Sequence, residues 1–526
     1  MKRYDLIVVG AGPAGLSAAA EAASLGLGVA LFDENARPGG QLFKQIHKFF
    51  GSREHKAKMR GIAIGAELLA EARGLGVEVF LDSPVAGLYE NRELLVRRGD
   101  GVRHYKADAI VVATGASENM LAFEGWTLPG VMGAGAAQTM MNLNRVRPGN
   151  RALMLGSGNV GLVVGFQLLQ AGCGLAAVVD AAPHIGGYGV HAAKLARTGV
   201  PFFPSHTVLR AEGTDRVTGA VIGRVDTDWN VVPGSEKSFA VDTICVAVGL
   251  SPSAGLLKMA GCRMRAEGPG EVPERDDDGE TSLGGVFVAG DVSGIEEASA
   301  AMIEGRLSGL AAAAKLGFVG GEALENRREG LRSALGSLRD GMFTPKNRGK
   351  IPASTSEGLP VSESLLTNGY LGDSEAGRYP GVKSAPGVHP VLECAQNIPC
   401  NPCRDACPKG CIRVEGKIIA LPEFVPGSGC SGCGMCVASC SGQAIFLVNE
   451  DIGDGKAAVT IPYEFLPLPA KGQTGTALGR SGAPLCPAEV AEVRLIGAYD
   501  HTALMTFTVP REFAMTARFW KSEVAR

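Results

Sequence analysis

The sequence predicts an α/β chain with two strand–glycine loop–helix–strand units, followed by a cysteine-rich segment and a small β-rich tail. Three observations predict it: a glycine-patterned loop after the first apolar run, a second such loop about 150 residues later, and nine of thirteen cysteines confined to residues 394–440. At 526 residues the chain exceeds what one hydrophobic core supports, so several domains are expected. The 74 glycines and 29 prolines make about 20% of the chain, where ordinary usage gives roughly 12%. With 45% hydrophobic residues and no three-residue period, neither disorder nor a fibrous repeat fits. A net charge of −3 gives no electrostatic case for nucleic acid or an anionic membrane surface.

The first unit begins with the apolar run Tyr4–Val9, which ends at Gly10-Ala-Gly12-Pro13-Ala14-Gly15. Alanine-rich helical sequence runs on to about Leu25, and a second strand, Val29–Phe32, ends at Asp33-Glu34. This is the dinucleotide-binding fingerprint in its full context. Gly10 permits the tight turn, Gly12 lets a pyrophosphate approach the backbone, and Gly15 lets helix and strand pack closely. The helix N-terminus favours phosphate charge, and Asp33 is placed to accept from a ribose. Met1-Lys2-Arg3 ahead of this apolar stretch superficially resembles a signal peptide. Glu21 and the glycines break the run into strand, turn and helix, so a cytoplasmic chain without a membrane span is expected.

The second unit repeats the pattern. Arg151–Leu155 reads as a strand, Gly156-Ser-Gly158-Asn159-Val160-Gly161 as the loop, Leu162–Gln170 as the helix, and Ala176–Val179 as a strand ending at Asp180. An acid there suits the ribose 2′-hydroxyl of NAD(H), whereas a 2′-phosphate calls for arginine. NADP, or an adenine nucleotide held structurally, remains as an alternative occupant.

Residues 321–389 are polar, rich in Gly, Ser and Pro, and read as a partly ordered linker. Beyond it, Cys430-x-x-Cys433-x-x-Cys436-x-x-x-Cys440 has the bacterial ferredoxin spacing, in which three thiolates grip one 4Fe–4S cluster and the fourth reaches another. A second set, Cys400-x-x-Cys403-x-x-x-Cys407-Pro, has Asn397 where its first cysteine belongs. Cys394 or Cys411 completes it. Aligning Cys407–Cys411 with Cys440–Ala444 puts Cys411 in the place of a small packing alanine. The favoured ligand sets are therefore Cys394, Cys400, Cys403 and Cys440 for one cluster, and Cys407, Cys430, Cys433 and Cys436 for the other. A three-iron or 2Fe–2S first cluster is the open alternative. Clustered cysteines in a large chain point to metal in a reducing compartment rather than disulfides. Residues 451–526 contain β-type stretches at 458–461, 490–495 and 504–509.

The first loop, the strand Ile110-Val-Val-Ala113-Thr114-Gly115, and Gly285-Val-Phe-Val-Ala-Gly290-Asp291 together resemble the two-dinucleotide-domain flavoproteins related to glutathione and thioredoxin reductases. The resemblance implies two Rossmann-like domains of the glutathione-reductase type, FAD on the first loop, Asp291 on the flavin ribityl chain, and Gly40-Gln41 near the flavin. It implies an FAD domain over 1–120 and 240–320 and an NAD domain over 121–239, while the cysteine spacing predicts a ferredoxin-like domain with two 4Fe–4S clusters over 390–450 and the β-type stretches a β-rich domain over 451–526. Residues 30–60 and 116–150 contain no cysteine, which excludes the thiol pair of disulfide reduction. His47 reads as a surface or helix-face histidine, and no acid–base pair for oxidising an organic substrate is evident.

A closer resemblance rests on Arg37-Pro-Gly-Gly-Gln41-Leu, on the run from Leu128 to Thr139, and on Asp291–Ser299. These look like the FAD/NAD-type subunit of heteromeric amine and amino-acid dehydrogenases: proline dehydrogenase, opine oxidase, hydrogen cyanide synthase and sarcosine oxidase. That resemblance implies an electron-transfer subunit of the CH–NH dehydrogenase class. It further implies a second flavoprotein subunit that oxidises the amine, and a ferredoxin or quinone-linked carrier. The alternatives are a stand-alone NADH:acceptor oxidoreductase and a regulatory protein holding nucleotide structurally.

Overall fold

The computed structural model describes residues 1–268, 270–340 and 361–523. They fall into two units, one of residues 1–118 and 250–340, the other of residues 119–249 and 361–523. No helix among the described residues is long and apolar enough to cross a membrane.

The first unit is built on a parallel sheet. Strand Lys2–Val9 lies between Val29–Phe32 and Gly101–Val112, with Glu78–Phe80 on the outer side of Val29–Phe32. Gly101–Val112 is long enough to serve two neighbours. Its first half pairs antiparallel with Glu93–Arg98, and its end pairs parallel with Val286–Val288. The chain thus leaves the unit after Glu118 and re-enters at Leu250 to supply the strand that precedes Gly290. Strands buried on both faces read as continuous apolar runs, which is why Leu6–Val9 and Ile110–Val112 carry no alternation.

On one face the helices Pro13–Ser24 and Ala298–Lys315 pack with almost no gap. A Cβ on Gly305 would lie 2.1 Å from the Ala14 carbonyl oxygen, and one on Gly309 2.4 Å from that of Ala18. Small residues on both helices are the condition for that approach.

The linker expected over 321–389 is corrected in its described parts. Gly321–Leu338 is an 18-residue helix, with Leu335 buried against Ala300, Ile303 and Leu307 of the preceding helix. Its leucines at 324, 331, 335 and 338 keep helical spacing, but high charge and three glycines hid the pattern. Ion pairs hold it: Arg328 and Arg332 to Asp278, and the buried Arg339 to Glu296 and Glu304. Residues 341–360 of the expected linker lie outside the described residues. Further on, Ser362 caps a short helix, Glu363–Asn368, by accepting from the Leu365 N–H at 3.2 Å.

The helix Gly321–Leu338 is also tied to a turn by His55. Its Nδ1 accepts from the Ser52 N–H at 3.0 Å, so the neutral ring donates from Nε2 to the Ala334 carbonyl at 3.2 Å. Burial lowers the His55 pKa below its ordinary 6.5, outweighing the carbonyl, which acts in the opposite sense. The unfolded chain therefore binds this proton more readily, and stability falls as pH drops below about 6.5, at a limiting slope of ~1.4 kcal/mol per pH unit. Thermal midpoints at pH 7.5 and 5.5 should differ, and the difference should shrink in His55→Gln.

The second unit contains another parallel sheet, ordered Phe202–Phe203, Gly174–Val179, Arg151–Leu155, Thr243–Val246, Val131–Gly133. Thr243–Val246 is an inner strand of it, between Arg151–Leu155 and Val131–Gly133, so residues 240–249 belong here and not to the first unit as expected. A short apolar run fits either sheet; only its parallel partners decide. A seven-stranded antiparallel sheet completes the unit: Val388–Leu392, Ile445–Asn449, Lys456–Tyr463, Ala503–Pro510, Pro484–Arg494, Thr474–Leu478 and Phe519–Ser522. The boundary expected at 450 is thereby corrected. The strands flanking the cysteines and those of the C-terminal stretch form one continuous sheet.

Candidate functional site

The glycine loops are built alike. Gly10 has φ +104, and a Cβ there would stand 2.3 Å from the Ala113 carbonyl oxygen; one on Gly15 would stand 1.8 Å from that of Gly10. In the second loop Gly156 has φ +109, its Cβ would be 2.2 Å from the Ala247 oxygen, and that of Gly161 2.1 Å from Gly156. Only glycine fits these four positions. By contrast Gly12 would meet only the Gly40 Cα at 3.9 Å, and Gly158 meets nothing within 4 Å. Each loop therefore presents an open backbone face where a phosphate would lie.

The helices that follow, Pro13–Ser24 and Asn159–Gln170, have Gly12 and Gly158 as N-caps, no side-chain cap and no acid in the first turn. Their first N–H groups and the positive end of each dipole are thus left for an anion. A dinucleotide pyrophosphate fits both places.

The separated pieces of the first site converge. Ala113 N–H donates to Val9 and Thr114 Oγ1 to the Ser253 carbonyl, fixing the Ala113–Gly115 turn beside Gly10. Gly39 N–H donates to Ala11 at 2.7 Å, and a Cβ on Gly40 would be 2.8 Å from the Gly12 Cα. Gly290, at φ +75, abuts Ala14, and the Asp291 carboxylate accepts from the Glu296 N–H at 3.2 Å. Gln41 is exposed alongside.

The two strand-end acids do more local work than expected. Asp33 is buried; its carboxylate accepts from Ala11 N–H at 2.6 Å and from the backbone and side chain of Asn35 at 2.7 and 2.9 Å. Glu34 next to it is exposed. Asp180 repeats the arrangement, accepting from Ser157 N–H at 2.7 Å, Ser157 Oγ at 2.6 Å and Ala182 N–H at 2.9 Å. Each acid braces its own glycine loop through the residue between the first two glycines. In the second site Asn159 accepts from Tyr188 N–H at 2.8 Å, and Val160 is exposed. The sequence reading missed Ala247-Val248-Gly249, which does for the second loop what Ala113-Thr114-Gly115 does for the first. An apolar strand ending in a small residue and glycine was the available signal.

None of the thirteen cysteines forms a disulfide. Those of the cluster influence one another. Surrounding protein, Cys440 and Cys403 push the Cys394 thiol upward, and burial with Cys440 pushes Cys403 up to about 12. Cys436 is raised by burial and by Cys407, Cys430, Cys403 and Cys433. Cys411 N–H donates to Cys407 Sγ at 3.3 Å, and Ala444 N–H donates to Cys440 Sγ at the same distance. Cys411 itself is 1% exposed, packed with Ile412, Phe424 and Ala438. The Asn397 side-chain amide donates to the Ile419 carbonyl at 2.9 Å. Among the described residues no three His, Cys, Asp or Glu groups close to the spacing of a single metal ion. A mononuclear site draws four thiolates to about 2.3 Å of one ion, whereas a four-iron cluster gives each thiolate its own iron. Closely spaced cysteines outside any disulfide, with backbone N–H groups donating to the Cys407 and Cys440 sulfurs, are the donor type of the latter.

The profile of the family described as pyridine nucleotide-disulphide oxidoreductase matches residues 4–305, ending before the cysteine segment. An opine oxidase subunit from Agrobacterium tumefaciens is 32% identical over 384 residues, which are 67% of this chain and 75% of that protein. Hydrogen cyanide synthase subunit HcnB of Pseudomonas protegens is 26% identical over 63% of this chain and 75% of its own. Among solved structures, thioredoxin reductase of T. acidophilum aligns with TM-score 0.50 at 20% identity, over 60% of this chain and 99% of its own. Two glycine loops of one design, on two parallel sheets, thus belong to a recognised lineage. The chain is a member of the pyridine nucleotide-disulphide oxidoreductase family, an FAD-dependent oxidoreductase that binds FAD and NAD(P).

Proposed function

We propose that this chain is the electron-transfer subunit of a heteromeric amine or amino-acid dehydrogenase, holding FAD at the first loop, NAD(H) or another adenine nucleotide at the second, and two 4Fe–4S clusters in the cysteine segment. The observation that carries this reading is the run of nine cysteines over 394–440, none in a disulfide, in the same unit as the second glycine loop. The relatives named as subunits of opine oxidase and hydrogen cyanide synthase supply the amine and amino-acid class. When bound, flavin takes two electrons together while a 4Fe–4S cluster carries one at a time, which makes such a chain a converter between the two modes.

The chain's own residues do the holding. Gly10, Gly12, Gly15 and Gly40 leave room for the FAD pyrophosphate, Asp33 keeps that loop in shape, and Glu34 is the exposed acid left for the ribose. Asp291, whose carboxylate accepts from the Glu296 N–H, would hold the flavin ribityl chain. At the second site Asp180 holds Ser157. The first unit contains Cys262 as its one described cysteine, buried and bonded to Thr281, so it has no thiol pair beside the flavin site.

Iron counting tests the cluster assignment. The reconstituted chain should hold eight irons, Cys430→Ser and Cys394→Ser about four each, and Cys411→Ser the full eight. Loss of iron in Cys411→Ser with retention in Cys394→Ser overturns the ligand sets. Co-purification with a second flavoprotein, and amine-dependent dye reduction only by the complex, tests the function. The intact second loop favours one other reading, a stand-alone NADH:acceptor oxidoreductase, and rapid bleaching of the isolated chain by NADH would select it.

A further inference from the structure

The helix Gly321–Leu338 begins beyond residue 305, where the match to the family profile ends, yet its far end reaches the Gly290–Asp291 stretch. Arg339, the residue that follows the helix, has a side chain only 4% exposed. Its Nε donates to Glu296 Oε1 at 2.8 Å, and its Nη2 to Glu296 Oε2 at 2.7 Å and to Glu304 Oε1 at 2.6 Å. The two carboxylates are nearly as buried, at 8% and 7%. Each of these acids holds one side of the same turn, Gly290–Ser293. Glu304 Oε2 accepts from the Gly290 N–H at 3.0 Å, and the Glu296 backbone N–H donates to Asp291 Oδ1 at 3.2 Å. Ser293 Oγ closes the turn by donating to the Gly290 carbonyl at 2.8 Å.

The turn is pressed against the first glycine loop. Gly290 sits at φ +75, and a Cβ there would lie 2.9 Å from the Ala14 Cβ. A guanidinium that bonds one carboxylate through two nitrogens and a second through one of them fixes the direction of both, besides balancing their charge. Glu304 also has Arg275 at 3.5 Å. Without Arg339, two carboxylates that share one nitrogen would face each other where water is scarce. Glu304 would keep Arg275, so Glu296 is the acid that would turn outward, and its backbone N–H would leave Asp291.

We propose that Arg339 is a positioning residue of the FAD site, acting through Glu296 and Glu304 to aim the Asp291 carboxylate at the flavin ribityl chain. The inference rests on the placement of FAD at the first loop and Asp291, and it extends that site past the end of the family profile.

The FAD affinity of the full-length chain, read from flavin fluorescence as the flavin-depleted protein is titrated with FAD, tests it. Arg339→Met should bind FAD about tenfold more weakly. Arg339→Lys should fall between, because an ammonium cannot bond one carboxylate through two nitrogens. Arg332→Met cuts an ion pair between the same helix and Asp278 and should bind FAD as the wild type does, which separates loosening of the helix from loosening of the turn. Asp291→Asn should weaken binding by itself, and Arg339→Met added to it should weaken binding little further, since both act through one carboxylate. Wild-type affinity in Arg339→Met, or in Arg339→Lys where the methionine variant does not fold, overturns the inference. So do losses that add in full in the double variant. Wild-type affinity in Asp291→Asn overturns the placement of FAD at this turn, and the inference with it.

Discussion

Alanine at Gly15 is expected to give a chain that purifies without flavin. The added Cβ would stand 1.8 Å from the Gly10 carbonyl oxygen, on a backbone already fixed by Ala113 and by the Asp33 bond to Ala11. Neither the loop nor the helix can yield alone, since a Cβ on Gly305 of the facing helix already falls 2.1 Å from the Ala14 oxygen. Overpacking of this kind costs about 1–3 kcal/mol, which taken wholly from flavin binding is up to about a hundredfold in affinity. Gly161→Ala is the matching change in the second loop, with 2.1 Å to the Gly156 oxygen. It should leave the flavin absorbance intact and abolish NAD(P)H binding. The flavin-to-protein ratio and nucleotide binding, measured on both variants, separate the two sites. Loss of flavin in Gly161→Ala with retention in Gly15→Ala would reverse the assignment of the loops.

Such loops were legible because sterics leave only glycine at four of their positions, and the surrounding strand and helix have their own signatures. The cysteine spacing was legible for a similar reason: short separations constrain where thiolates can meet. What escaped the sequence depends on partners far along the chain. Thr243–Val246 could be assigned to a sheet only through its pairing with Arg151–Leu155 and Val131–Gly133. The helix Gly321–Leu338 is stabilised by Asp278 and by Glu296 and Glu304, which give its arginines their meaning. The acids Asp33 and Asp180 were singled out by position as ribose acceptors. Their bonds to Ala11 and Ser157 follow from how each strand end curls beneath its loop, a feature of three dimensions.

Removal of the Glu393 carboxylate is the change expected to cost the second unit most. The side chain, 11% exposed, follows directly on strand Val388–Leu392, and its Oε1 accepts from Arg480 Nε at 2.9 Å, Arg480 Nη2 at 2.6 Å and Arg518 Nε at 2.6 Å. Burial opposes its charge, but the two guanidiniums outweigh that and hold the carboxyl below the usual range. In Glu393→Gln both arginines lose their buried counter-charge, an event worth about 3–5 kcal/mol. For a unit of this size that lowers the melting midpoint by on the order of 10 °C. The cost belongs to the stranded cations more than to the lost pair, so removing a cation as well should return part of it. Glu393→Gln with Arg518→Met is therefore expected to be more stable than Glu393→Gln alone, because Arg480 retains Asp373 while Arg518 has only the Ala514, Met515 and Ala517 carbonyls besides. Thermal unfolding of the single and double variants measures the difference. Strict additivity would show that Glu393 and Arg518 are not energetically coupled.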